Sequence, residues 1–233
     1  MKRFITLLFI LVLFLPKGFA QEENTYNCNA VSLYMMPVSL LDYTPRFRFG
    51  VEYESKNALA YSIDVGFGNY ATISKEIHPS SIWGKGYTSF EIRPEVKYYF
   101  HKPNPYVSLY TSAEIFYISV NNTFDTSYYY PAQESFRVYF DQAKYRKQKI
   151  GGVLKFGIKL TPFERISFDF YTGLGLAYRN KDYVQLINPE TSVLSEDREW
   201  FSWAKNYLYA GESVIVQLSF GAKIGVILWK DKN

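Results

Sequence analysis

The chain has 233 residues, with 26 Lys and Arg against 22 Asp and Glu and a formal charge of +4. Lys2, Arg3 and Lys17 fall within the first twenty residues; without them the charge is +1, which excludes a global bias toward nucleic acid or an anionic surface. One cysteine excludes an internal disulfide, and with only two histidines there is no metal-ligand cluster of recognised spacing and no cofactor motif.

The N-terminus, MKRFITLLFILVLFLPKGFA, opens on two positive charges, runs through an apolar stretch and ends on Gly18-Phe19-Ala20. That order predicts a secretory signal peptide over 1–20, too short in its apolar part for a spanning helix. Cys28 follows Tyr26-Asn27 rather than the small residues of a lipid-anchoring signal. The remaining 21–233 fit one exported domain.

Eight segments alternate with the two-residue period of a β-strand: 29–38, 45–54, 58–69, 86–100, 105–120, 149–161, 165–178 and 212–229. The links at 55–57, 101–104 and 162–164 are short, and those at 39–44, 70–85, 121–148 and 179–211 are longer. Short turns at one end and long links at the other, with an even strand number, predict an all-β, eight-stranded antiparallel up-and-down transmembrane β-barrel. The long links become extracellular loops and both termini periplasmic.

The alternation also assigns the faces. One side of each strand is apolar, as in Phe47, Phe49, Val51 and Tyr53, and no helical pattern exists to cover it. Lipid would cover it, provided the sheet closes and pairs every backbone group. The other side faces a lumen lined by Arg46, Arg48, Glu52, Glu54, Asp64, Glu91, Arg93, Glu95, Lys97, Glu114, Lys155, Lys159, Arg165, Asp169 and Lys223. Eight strands leave room only for side chains. Near-balanced opposite charges there predict cross-strand ion pairs and a plugged lumen. Tyr98, Tyr99, Phe100, Tyr106, Phe163 and Trp229 are expected in one aromatic girdle, and Tyr70, Tyr87, Tyr117, Tyr178, Tyr207 and Tyr209 in the other. Pro94 has no N–H for a ladder and predicts a bulge or distortion.

The stretches GKGYTSFEIRPEVKYYF, ISFDFYTGLGLAY and GAKIGVILW resemble small outer-membrane barrel proteins of Gram-negative bacteria. The group they resemble is a domain-of-unknown-function family, similar in architecture to OmpA- and OmpX-type barrels. The resemblance implies the bacterial outer membrane as location, and membrane lipid and the barrel-insertion machinery as partners. It carries over no functional residue.

Three classes of function follow. A structural or binding barrel would display loop aromatics, with Tyr128, Tyr129, Tyr130, Trp200, Phe201 and Trp203 as surface recognition residues for a ligand of unknown kind. A lipid-modifying enzyme would use His78-Pro79-Ser80 with Glu91, an arrangement similar to that of lipid A deacylases. A small channel would need an open lumen. The match to the deacylases stops at three residue types, so His78 and Ser80 are expected in a polar loop. The expectation is a monomeric, non-enzymatic display barrel that binds no nucleic acid.

Overall fold

The computed structural model describes residues 29–72, 83–84, 86–104, 106–132, 136–193 and 207–231. The predicted signal peptide lies outside them, as do His78, Ser80, Trp200, Phe201 and Trp203. The strands are β1 (Ala30–Met35), β2 (Phe47–Glu54), β3 (Leu59–Asn69), β4 (Thr88–Asn104), β5 (Val107–Tyr129), β6 (Phe136–Phe163), β7 (Ile166–Ile187), β8 (Glu190–Val193) and β9 (Gly211–Lys230). The alternating residues behave as the strand period requires. In β2, Phe47, Phe49, Val51 and Tyr53 are exposed, and Arg48, Gly50 and Glu52 are buried.

All strands but β8 form one antiparallel ring, each pairing with the next in chain order, with β7 joined to β9 and β9 back to β1. The ring is staggered. From Ser32 the partners run through Glu52, Ser62, Glu95, Glu114, Val153 and Gly175 to Gln217, whereas Ser32 itself pairs with Ile227, ten residues further along β9. A stagger of this kind is what tilts the strands and lets a flat ladder close.

Several boundaries differ from the sequence expectation. The first strand stops at Met35 because Pro37 follows; Met36 stays extended and Pro37–Leu40 turns into a 3₁₀ helix with the proline in its first turn. The turn expected at 101–104 is strand, since β4 runs to Asn104. The largest difference is at the opposite end. Most of 121–148 and the first part of 179–211 continue β5, β6 and β7 as paired strand, and β8 adds to the β6 extension at Phe136–Tyr139.

The extension was hidden by a change of polarity along the same strands. Low in β5 the outward residues include Ala113 and Ile115, and the inward ones include Ser112 and Glu114. Higher up, the outward positions become Asn121 and Asp125, and the inward ones Val120 and Phe124. The lower barrel is apolar outside and charged inside; the upper collar is polar outside and apolar inside. Its core gathers Trp83, Tyr87, Phe116, Ile118, Val120, Phe124, Phe140, Tyr145 and Tyr183.

Pro94 causes no register shift. Its partner on β3 is Ile63, and the β4–β5 ladder skips Arg93 and Pro94 but resumes at Glu95–Glu114 in unchanged register. The missing N–H therefore opens a two-residue gap in place of a bulge. At the β2–β3 turn the amide of Ser55 donates to the Leu59 carbonyl at 2.7 Å, and Ala58 is held at φ +60°. Left-handed backbone costs an L-residue about 1–2 kcal/mol. Ala58→Gly should therefore raise stability, by less than about 1 kcal/mol after glycine's own entropy loss. Denaturant unfolding midpoints of the two proteins in micelles would check this.

Candidate functional site

Inward positions on seven strands bring their charges together in the lower lumen. Glu91 lies 2.8 Å from Arg46, 3.1 Å from Arg48 and 3.2 Å from Arg93. Arg93 reaches Glu114 at 2.7 Å, Glu114 also holds Lys155, and Lys155 sits 3.4 Å from Glu95. Glu95 meets Lys223 at 2.9 Å, Lys223 meets Asp64 at 3.8 Å, and Asp64 returns to Arg48 at 3.9 Å. The result is a closed circuit of alternating charge running through all four carboxylates. Nearer the short turns, Lys97 bridges Glu52 at 2.6 Å and Asp169 at 2.5 Å, and Lys159 bridges Glu52 at 2.7 Å and Glu54.

Tyrosines complete the packing. Tyr34 donates its hydroxyl to Asp64, Tyr110 donates to Asp169 at 2.6 Å, and Arg48 donates to the Tyr171 oxygen at 2.7 Å. Rings cap the cations: Lys155 lies 4.4 Å above Tyr171, Lys223 4.5 Å above Tyr34 and Lys97 4.5 Å above Tyr110. The rings find room because glycine stands opposite. A Cβ on Gly157 would come 2.3 Å from Tyr110, and one on Gly221 would come 2.5 Å from Tyr171.

Of the predicted lumen set, Arg46, Arg48, Glu52, Asp64, Glu91, Arg93, Glu95, Lys97, Glu114, Lys155, Lys159, Asp169 and Lys223 are buried and paired. Arg165 is not among them. The β6–β7 turn is Glu164-Arg165, and both side chains are exposed. Four girdle assignments also change: Tyr207 packs on Phe124 of the collar core and Tyr209 on Tyr130. Tyr87 and Tyr99 are buried inside the ring, Tyr99 in a lower cluster with Tyr34, Tyr110 and Tyr171. Tyr98, Tyr106, Phe163, Trp229, Tyr70 and Tyr178 are exposed, as a girdle requires.

At the collar, Tyr128 and Tyr129 belong to β5 rather than to a loop, and Tyr130 is buried. Tyr129 stacks on Tyr183 at 4.5 Å and Tyr130 on Tyr209 at 4.9 Å, so both pack the collar itself. Tyr128 lines a cleft of about 470 Å³ with Tyr139, Asp141, Asn188 and Glu190, and Arg137 lies 5.1 Å over its ring. Composition alone had drawn attention to these tyrosines; only the strand extension separates the packed rings from the one on the cleft.

The collar also holds cations. Lys147 and Lys181 are cross-strand partners on β6 and β7. Burial, and then the charge of Lys149, push the Lys147 ammonium down to about 7.

An antiparallel ring of eight strands with an apolar exterior and an ion-paired interior defines the class, a β-barrel of membrane-protein polarity. The chain belongs to the family described as "Protein of unknown function (DUF3575)", whose model matches residues 18–209. Among solved structures it is similar to the N-terminal β-barrel domain of Pseudomonas aeruginosa OprF, at 11% identity and a TM-score of 0.41, covering 87% of this chain and 98% of that one. Neisserial surface protein A aligns at 15% identity and a TM-score of 0.37, over 85% and 94% of the two chains. A major outer membrane protein from Thermus thermophilus aligns at 11% and 0.38, over 85% and 98%. A search of the curated proteins returns no significant match.

Glu91→Gln leaves three buried guanidiniums short of their shared carboxylate and should lower stability by about 3–5 kcal/mol. Glu54→Gln, at the half-exposed margin, should cost under about 1 kcal/mol; urea unfolding of both variants gives the comparison. For Lys147 the folded pKa is depressed, so the cost of its buried charge is complete below about 7 and fades as pH rises toward the usual 10.5. Lys147→Met should therefore stabilise the protein more at pH 6 than at pH 10.

Proposed function

We propose that this protein resides in the bacterial outer membrane as a monomeric, non-enzymatic barrel with a plugged lumen, and presents the collar and its Tyr128 cleft to a ligand at the cell surface. The observation that carries this is the reversal of polarity along β5, β6 and β7. An apolar exterior suits hydrocarbon, and the switch to Asn121, Asp125, Arg146 and Asp182 outside marks where water begins. The closed charge circuit supports the plug, since the charged side chains that fill the lower lumen are held by opposite neighbours. Glu91 supports the non-enzymatic reading, because it is shared among three arginines and turned away from lipid. Outer-membrane lipid and the insertion machinery are the partners this reading requires.

The test uses topology and conductance together. On a Cys28→Ser background, Asp125→Cys should react with a membrane-impermeant maleimide on intact cells, and Ser55→Cys only after the outer membrane is permeabilised. Purified protein in planar bilayers should give no large stable steps. Labelling in the reverse order would sink the topology, and porin-like steps would sink the plug. Gene deletion should leave the lipid A acyl profile unchanged; loss or gain of one chain would favour the enzyme.

A further inference from the structure

The ring has a breach in its wall. β1 pairs with β9 only from Ile224 to Lys230, because the turn at Pro37 ends β1 early. From Gly211 to Lys223, β9 is paired on its β7 side alone among the described residues. Exposure records the difference. Phe220 is 74% and Val214 72% exposed, against 41% for Ile224, where β1 resumes. Inward Ser213, Gln217 and Ser219 are half-buried, whereas inward Lys223 and Gly225 are buried.

A cavity of about 480 Å³ occupies this breach, between the segment around Pro37–Tyr43 and β9. Its inner wall includes Arg46, Arg48, Arg93 and Gln217, with Asp42 held by Arg46 at 3.0 Å; its outer lip includes Leu218 and Phe220 of the apolar band. Beside it stand two cations that the lumen circuit does not use. Lys149 donates to the Gln217 side-chain oxygen, and Arg179 donates to Ser213 Oγ at 3.1 and 3.2 Å. Both partners are neutral β9 side chains, and neither cation has a carboxylate within ion-pair distance among the described residues. Lys149 and Arg179 are themselves cross-strand neighbours, near the top of the apolar band where Ile150 and Tyr178 face outward.

We propose that this cleft binds a phosphate-bearing lipid of the surrounding leaflet, its head group on Lys149 and Arg179 and an acyl chain along Leu218 and Phe220. The chemistry asks for both ends of such a molecule. Unpaired positive charge beside a breach attracts an anion and holds phosphate through charge-assisted hydrogen bonds. An apolar lip continuous with the hydrocarbon face takes a chain, and an open strand edge at this depth needs polar groups to satisfy it. The inference rests on the outer-membrane reading.

The test is native mass spectrometry of the full-length mature protein in micelles containing didecanoyl phosphatidic acid or didecanoyl glycerol. The phosphatidic acid should stay bound, the diacylglycerol should not, and millimolar inorganic phosphate should not displace the lipid. The double variant Lys149→Gln, Arg179→Gln should hold it about tenfold more weakly. Ser219→Trp, which fills the cleft without changing charge, should also release it, and Lys144→Gln on the outer face of the collar should not. Heat-modifiable migration on gels confirms folding of each variant. If the double variant does not fold, the Ser219→Trp result decides. Retention by a folded Ser219→Trp, equal competition by inorganic phosphate, or a dimer formed without lipid would each overturn the proposal. A folded barrel that binds no lipid defeats this inference alone; failure of the surface-labelling pattern defeats the reading beneath it.

Discussion

A strand in hydrocarbon has nowhere to place its backbone donors and acceptors except on a neighbouring strand, and that requirement governs this molecule. The outer face of the lower barrel is apolar on every ring strand, so backbone pairing there has to run round the ring. Pairing of β1 with β9 closes the ring, and the ten-residue offset between Gln217 and Ile227 is the geometric condition for closing it. Once closed, the ring encloses a lower lumen packed with its own side chains. The size of the lumen, the need for glycine beside tyrosine, and the pairing of charges in the lower lumen all descend from that closure.

Along the strand axis the same backbone passes through two environments without interruption. Below, hydrocarbon selects Phe47, Ile63 and Leu154 for the outside and leaves charge for the inside. Above, water selects Asn121, Arg146 and Asp182 for the outside, and the core becomes aromatic. Each half therefore has the polarity that its surroundings stabilise. The collar is an ordinary water-facing β-structure with a hydrophobic centre, built on strands borrowed from the barrel. Its stacked rings, Tyr129 on Tyr183 and Tyr130 on Tyr209, do for it what the ion pairs do below.

This change of regime explains what was legible in the sequence. The ring strands and nearly all lumen charges could be read because a single rule, apolar out and charged in, holds through the lower barrel. Residues 121–148 obey the opposite rule with the same two-residue period, so strand looked like loop. Tyr87 and Tyr99 were misplaced because tyrosine suits either face, and only its parity along the strand decides. Arg165 failed at the margin, where the turn falls at Glu164-Arg165 and alternation ceases to bind. The early end of β1 was written in Pro37. Its consequence, a stretch of β9 that β1 does not reach, depends on register, which no local pattern carries.

Stability alone does not explain why the lumen is charged, since well-packed apolar groups can replace buried ion pairs at little or no loss. The charges also decide which face is which. If Glu91, Arg93, Glu95 and Lys97 were apolar, β4 would be hydrophobic on both sides, and a slip of one residue would leave it equally at home in lipid. With them in place, the same slip turns four charges outward, at roughly 2–4 kcal/mol for each Arg or Lys near the bilayer midplane. It also takes Glu91 from Arg46 and Arg48 and Glu95 from Lys155, leaving them only Asp42, Asp64 and Glu114. The alternating circuit therefore couples the registers of separate strands: β4 cannot shift unless β2, β5 and β6 shift with it. A ladder that Pro94 has interrupted on one side needs that external hold, and the ion pairs of Arg93 and Glu95 on either side of the proline supply it.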